Sequence, residues 1–306
     1  MKAALVNVSV ATVWTKPESP RDIDRLALTV PVDARGWLSS LTVEEKLGFY
    51  DNNAIQTQAL YGTKVLIEEE QGDWSKVLIP DQACRKNEIG YPGWIPSNQL
   101  VPWSEAFEVQ DGQKLAMVTA AMADLYTTDR ERAMELAYLT RLPLLSETEG
   151  GVFVATPTGE GFLRSEDIEV VRANEPVDLT GNRGEAIVEN GKRFLGLHYL
   201  WGGMSSYGYD CSGFAYNMHR SVGIQIPRDA SDQANAGQLV EKADLLPGDL
   251  LFFAHEEGKG RVHHVGIYIG NQEMIHSPDS RGAIEIVKLD DTYRLIKEHC
   301  VSRRYW

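Results

Sequence analysis

Residues 199–229 read YLWGGMSSYGYDCSGFAYNMHRSVGIQIPRD. A glycine-rich run ends at Asp210, and Cys211 then opens a stretch in which Phe214, Ala215, Met218 and Val222 recur at helical spacing. A thiol on the first turn of that helix would face unpaired backbone N–H groups and the positive end of the helix dipole. Both favour thiolate near neutrality. Ser212 and Gly213 are small enough for a substrate to approach, and backbone N–H groups there suit a developing oxyanion. The same residues are also compatible with a small buried packing cysteine, so the rest of the chain has to decide.

Moving outward, the 306 residues are 43% hydrophobic and 24% charged, long enough for two or three cored domains. The formal net charge of −14 argues against nucleic acid and anionic membrane as partners. Cys84, Cys211 and Cys300 are scattered and odd in number, which disfavours a disulfide framework and fits free thiols in a reducing compartment. The amino terminus, MKAALVNVSVATVW, is short of a secretory signal, and no run reaches the ~18 apolar residues of a membrane span. A cytoplasmic monomer without cofactor is expected.

Ahead of residue 181 the texture is that of short strands. QTQALYGTKVLIEEEQGDWSKVLIP reads as two strands around a Gly-Asp turn, and GYPGWIPSNQLV as a turn and a short strand. A helical insertion over about residues 17–53 carries a capping box, Thr42 with Glu45. The strand pattern then repeats, each copy closing on an aromatic beside glycine (Trp94, Phe162) and a Ser-x-x-Leu/Ile end. Two small barrels, residues 1–105 and 106–175, are expected. Beyond ANEPVDLTGNRG, Gly184–Leu195 forms a helical pattern with Ala186, Ile187, Phe194 and Leu195 on one side. From Leu250 onward DLLFFA, HVGIYIG, EMIHS and AIEIVKL read as a meander, so residues 181–306 form an α+β domain.

A thiol nucleophile needs an imidazole and a group to hold it. His198, His219 and His299 read as packing or surface residues, and His255 lies in a solvated loop. Alternation places His264 beside Gly266, whose missing side chain leaves room for a ligand, and puts His263 on the apolar side as half-buried packing. His264 is therefore the candidate base. His276, on the next strand, shares its face only if the hairpin carries an odd loop or a bulge. Cys211, His264 and His276 lack the close ligand pairs of a zinc site, and no metal is expected.

YLWGG, YDCSGF, IPRDAS, LLPGDLLFF, HHVGIYIG and MIHSP occur in the order and spacing of the NlpC/P60 family of papain-like cysteine peptidases, which residues 181–306 resemble throughout. The resemblance implies Cys211 as nucleophile, His264 as base and His276 as its orienting partner. The two repeats ahead of them resemble bacterial SH3 domains, and the whole chain resembles the YkfC-type γ-D-glutamyl-L-diamino acid endopeptidases. That likeness implies murein peptides with a free L-Ala amine as substrates, L-Ala-D-Glu as product, and a role in cell-wall peptide recycling. It implies that Tyr91 reaches the substrate, that Asp229 pairs with the ammonium, and that Asp210, Ser212 and the backbone at Ala230 line the same pocket. The family also draws an acidic residue from the first SH3-like domain, where this chain has Gln56. Two rival readings are a secreted hydrolase of intact wall and a binding protein with an inactive peptidase fold.

Overall fold

The computed structural model describes residues 1–175 and 181–306. The boundary expected after residue 175 thus falls partly on residues 176–180, outside the described residues. Two compact units emerge. The first holds Met1–Asp81, Ile89–Glu175 and Ser205–Tyr207, and the second holds Gln82–Glu88, residues 181–204 and Gly208–Trp306.

In the amino-terminal unit Lys2–Val6 (β1), Val10–Trp14 (β2), Ile55–Leu60 (β3), Lys64–Gln71 (β4), Trp74–Ile79 (β5), Tyr91–Pro96 (β6) and Leu100–Pro102 (β7) form one sheet in the order β3-β2-β6-β5-β4-β1-β7. The second copy comprises Lys114–Val118 (β8), Met122–Tyr126 (β9), Arg132–Ala137 (β10), Arg141–Thr148 (β11), Gly151–Thr156 (β12), Gly159–Arg164 (β13) and Ile168–Arg172 (β14). Its order, β10-β9-β13-β12-β11-β8-β14, is the same topology with every index raised by seven. Each Ser-x-x-Leu/Ile end is a 3₁₀ turn, Ser97–Gln99 or Ser165–Asp167, leading into the last strand. The repeat read from the sequence is thus a repeat of topology. Two local readings change: QTQALYGTKVLIEEEQGDWSKVLIP spans three strands, because Tyr61–Thr63 breaks it, and Tyr91–Trp94 of GYPGW is strand, not turn.

The insertion folds as a 3₁₀ segment, Asp22–Ala27, then Ala34–Ser40 (α1) and Val43–Asp51 (α2). The capping box of α2 forms in both directions, Glu45 N–H to Thr42 Oγ1 at 3.2 Å and Thr42 N–H to Glu45 Oε2 at 2.7 Å. Trp37 and Phe49 pack on each other at 5.7 Å and on Trp14 of β2, which seats the insertion on the first sheet. Leu5, Tyr61 and Phe107 join Leu125, Leu136, Val154 and Leu163 in one core, so the two repeats share apolar burial.

The second unit contains Arg183–Lys192 (α3), Met204 of the short strand Met204–Ser205 (β15), Gly208–Tyr209 (β16), Cys211–Arg220 (α4) and Ala230–Gln233 (α5). Gln238–Leu239 (β17), Leu250–Ala254 (β18), Val262–Gly270 (β19), Glu273–His276 (β20), Glu285–Lys288 (β21) and His299–Arg304 (β22) form an antiparallel sheet ordered β17-β22-β18-β19-β20-β21. The expected meander is its β18–β21 portion; β22 pairs on the other edge of β18. The apolar side of α4 is buried as spaced, with Phe214, Ala215, Met218 and Val222 at most 1% exposed. Helix α3 ends at Lys192, however, so Leu195 falls beyond it and is exposed, and Val188 fills the buried side with Ile187.

Candidate active site

Helix α4 begins at Cys211, with Asp210 as its N-cap. The Asp210 carboxylate accepts from Gly213 N–H at 2.6 Å, satisfying a donor of the first turn. It also receives the guanidinium of Arg228, Nη2 to Oδ2 at 2.6 Å and Nη1 to Oδ1 at 3.2 Å. Ser212 closes the network, donating to Asp210 Oδ1 at 3.1 Å and accepting from Arg228 Nη1 at 2.9 Å. Arg228, Asp210 and Ser212 are all buried. A pair of this kind survives burial because each charge is opposed and hydrogen-bonded. Arg228 escaped the sequence reading, although it stands in the quoted IPRD; only folding carries it back to the helix cap.

Gly213 has a packing reason rather than an approach reason. A Cβ there would lie 2.1 Å from the Gly203 carbonyl oxygen, so glycine lets α4 meet the backbone of the glycine-rich run. Likewise the space beside Gly266 is not open to a ligand, since its Cβ would meet Met274 Sδ at 2.5 Å and His276 Cβ at 3.2 Å. The Ser212 hydroxyl, expected to line a pocket, is committed to the Asp210–Arg228 network.

The two histidines meet through a bulge. Strands β19 and β20 pair Ile267 with Ile275 and Tyr268 with Met274, then shift so that Gly270 faces Glu273. Asn271 and Gln272, with φ of 52° and 58°, make the two-residue turn. Continuing the register sets His276 opposite Gly266, and His264, two residues along, shares that face. His264 Nε2 and His276 Nδ1 lie 2.8 Å apart. Phe253 packs against His264 at 5.9 Å and Tyr293 against His276 at 5.9 Å, fixing both rings.

Cys211 reaches this pair through β19: the Val265 backbone N–H, next in chain to His264, hydrogen-bonds the thiol, as does that of Ser212. Burial nevertheless pushes the thiol up to about 12, and the Asp210 charge adds to it. Arg228 and the two N–H groups oppose that rise without cancelling it, although Cys211 keeps part of its surface in solvent. Desolvation therefore opposes the helix terminus and favours the thiol, against the thiolate that the helix start alone suggests. Burial, with His276 next in weight, holds His264 well below the usual imidazole range, and burial lowers His276 to about 4. Both rings are neutral at neutral pH. Burial raises the Tyr199 phenol, and the nearby Asp210 charge adds to it, so Tyr199 stays protonated.

Asp229 occupies the N-cap position of α5, but its side chain makes no cap hydrogen bond. Its Oδ2 lies 3.6 Å from Lys86 Nζ. Lys86 belongs to residues 82–88, the segment between β5 and β6 that is part of this unit. There Arg85 bonds Asp232 and the Ala83 carbonyl accepts from Arg228 N–H at 2.9 Å. Ala230 begins α5. Tyr91 opens β6 in the amino-terminal unit, opposite Ile79, and is 2% exposed. His219 is buried packing and His255 exposed, as read from the sequence, and His263 is half-buried as expected, but with its Nε2 2.7 Å from Glu298 Oε2. Among the described residues His255, His263 and Glu298 bring one potential ligand atom each within 4.8 Å of one another.

Residues 196–304 match the NlpC/P60 family, residues 118–170 the YKFC SH3b2 domain, and residues 51–100 the bacterial dipeptidyl-peptidase Sh3 domain. The chain is 45% identical to the gamma-D-glutamyl-L-lysine dipeptidyl-peptidase of Bacillus subtilis, over 97% of this chain and 96% of that one. The Bacillus cereus protein of the same name is 42% identical over 99% and 90% of the two chains. A crystal structure of an NlpC/P60 family protein from Bacillus cereus superposes with a TM-score of 0.94, at 42% identity and 99% coverage of both chains. With full-length relatives at this identity, and two SH3-type β domains ahead of an α+β domain carrying the cysteine and histidines described, the chain belongs to the NlpC/P60 family of cysteine peptidases.

Proposed function

We propose that this chain hydrolyses the γ-D-glutamyl bond to the diamino acid of murein peptides and releases L-Ala-D-Glu. The observation that carries the reading is the cysteine on the first turn of α4, bonded to the backbone of β19 beside a neutral His264 that is itself 2.8 Å from His276. In this reading His264 donates from Nε2 to His276 Nδ1, which leaves Nδ1 to take the thiol proton. As sulfur attacks the γ-carbonyl carbon of D-Glu, that proton passes to His264, and the carbonyl oxygen becomes an oxyanion held by backbone N–H groups, Cys211's own among them. His264 returns the proton to the departing amine, the C–N bond breaks, and a thioester remains. Water, deprotonated by His264, attacks the thioester and restores the thiol.

Asp229 is the proposed partner of the substrate's free L-Ala ammonium. Its carboxylate stands 3.6 Å from the Lys86 ammonium, the cation that the substrate's ammonium would displace or share it with. Asp210 and Ser212 act from behind, through the buried network that sets the charge around Cys211. The backbone at Ala230 and the phenol of Tyr91 complete the proposed contacts, Tyr91 to be tested by Tyr91→Phe. We further propose that the modules are residues 1–105, 106–175 and 181–306, that both SH3 sheets close as small barrels, and that the protein acts as a cytoplasmic monomer in peptide recycling.

The test is mass spectrometry after incubation with L-Ala-γ-D-Glu-L-Lys, its meso-diaminopimelate counterpart and the N-acetylated form of each, with Cys211→Ala as control. Release of L-Ala-D-Glu from the free peptides alone, absent in the control, is expected. Equal cleavage of acetylated peptides would remove the amine requirement and favour a hydrolase of intact wall. No cleavage of any peptide would overturn the proposal.

A further inference from the structure

Three strand ends converge beside the catalytic face. His255 follows the last residue of β18, His263 is the second residue of β19, and Glu298 immediately precedes β22. These three strands are neighbours in the sheet, with Phe253 of β18 paired to both His264 and His299. One ligand atom from each of His255, His263 and Glu298 lies within 4.8 Å of the other two. The His255 and His263 rings stack at 4.1 Å and 14°, and His263 Nε2 meets Glu298 Oε2 at 2.7 Å.

His255 does not reach this place by an ordinary turn. Glu256 and Glu257 are consecutive non-glycine residues in the left-handed region, φ 56° and 54°. Such residues cost about 1–2 kcal/mol each, and a strained backbone of this kind persists where the surrounding structure fixes it. Hydrogen bonds from His255 N–H to Arg261 and from Gly260 N–H to His255 clamp the loop at 3.1 and 2.8 Å. The result is an exposed imidazole laid over a half-buried one, with a carboxylate at its edge.

We propose that His255, His263 and Glu298 form a site for a divalent transition-metal ion of the zinc class. Two imidazoles and a carboxylate are the donor types such ions take, and three protein ligands leave a coordination position for water. The ion would take the place of the hydrogen between His263 Nε2 and Glu298 Oε2, with the neutral imidazole carrying its proton on the other ring nitrogen. Arg294 is the nearby cation opposing it, and its charge is offset by Asp279 at 3.3 Å. The site lies one residue from His264 but on a separate set of ligands, so the ion would brace the strand ends rather than enter the reaction.

The experiment uses the full chain carrying Cys211→Ala, because the active-site thiol and imidazoles could themselves capture a soft ion. Titration with Co²⁺, read by visible ligand-field absorption, and with Zn²⁺ by calorimetry is expected to give one equivalent. Zn²⁺ should also raise the melting temperature. His255→Ala, at an exposed position, and Glu298→Gln should each lose the equivalent and the thermal shift. Absence of binding, or binding that persists in both variants, would overturn the proposal. So would binding that survives them and disappears only with His264→Ala, which would place the ion at the active site.

Discussion

Replacing Arg228 with methionine tests the charge network around the nucleophile. Arg228 is 1% exposed, and its guanidinium donates to both Asp210 oxygens and to Ser212 at 2.6–3.2 Å. Methionine fills much of the volume but leaves the Asp210 carboxylate buried without its countercharge. Removing one partner of a buried pair costs about 3–5 kcal/mol, which for a domain of this size lowers its melting temperature by roughly 10–20 °C. Asp210→Asn keeps an acceptor for the α4 cap and removes the charge. The double variant should therefore be less destabilised than Arg228→Met alone by about 2 kcal/mol or more, a coupling that a thermal double-mutant cycle on the full chain reads directly. Arg228 also opposes the rise of the Cys211 thiol, so alkylation of Cys211 should slow in Arg228→Met and recover in the double variant. A single variant within about 1 kcal/mol of the parent, or strictly additive effects, would refute the reasoning.

Three further outcomes follow from particular contacts. Because burial drives the Cys211 thiol up to about 12, its alkylation by iodoacetamide, followed by peptide mass spectrometry, should keep rising above pH ~9; a plateau near neutrality would show a resting thiolate. Gly266→Ala puts a Cβ against Met274 Sδ and His276 Cβ, and should lower kcat more than 10-fold (order of magnitude) by moving the imidazole pair; unchanged kcat would show that the pair tolerates displacement. His219 is fully buried, with its pKa lowered by desolvation from 6.5 to about 4. The unfolded chain therefore binds the extra proton between these values, and stability is lost as pH falls through that window. By pH ~5 the loss is about 2 kcal/mol. His219→Gln should shrink the stability difference between pH ~7.5 and ~5 by that amount, and an identical pH dependence in denaturant unfolding would contradict it.

Much of this molecule is determined locally and so could be read from the sequence. The period of Phe214, Ala215, Met218 and Val222 places Cys211 at a helix start because helical periodicity and capping are properties of a few consecutive residues. The Thr42–Glu45 box is equally local, and the two-fold strand pattern anticipated two sheets of identical strand order. The meeting of His264 with His276 was legible only as a condition, an odd loop or a bulge, and the register shift at Tyr268–Gly270 supplies the bulge. What depended on tertiary structure were quantities set by neighbours distant in sequence. Arg228 reaches the cap from 18 residues away, Glu298 reaches His263 from 35, and Gly213 and Gly266 accommodate packing atoms rather than a ligand. The protonation state of Cys211 belongs to the same class. A helix terminus alone favours thiolate, but desolvation and the adjacent Asp210 charge, which exist only once the chain has closed around the site, reverse the balance.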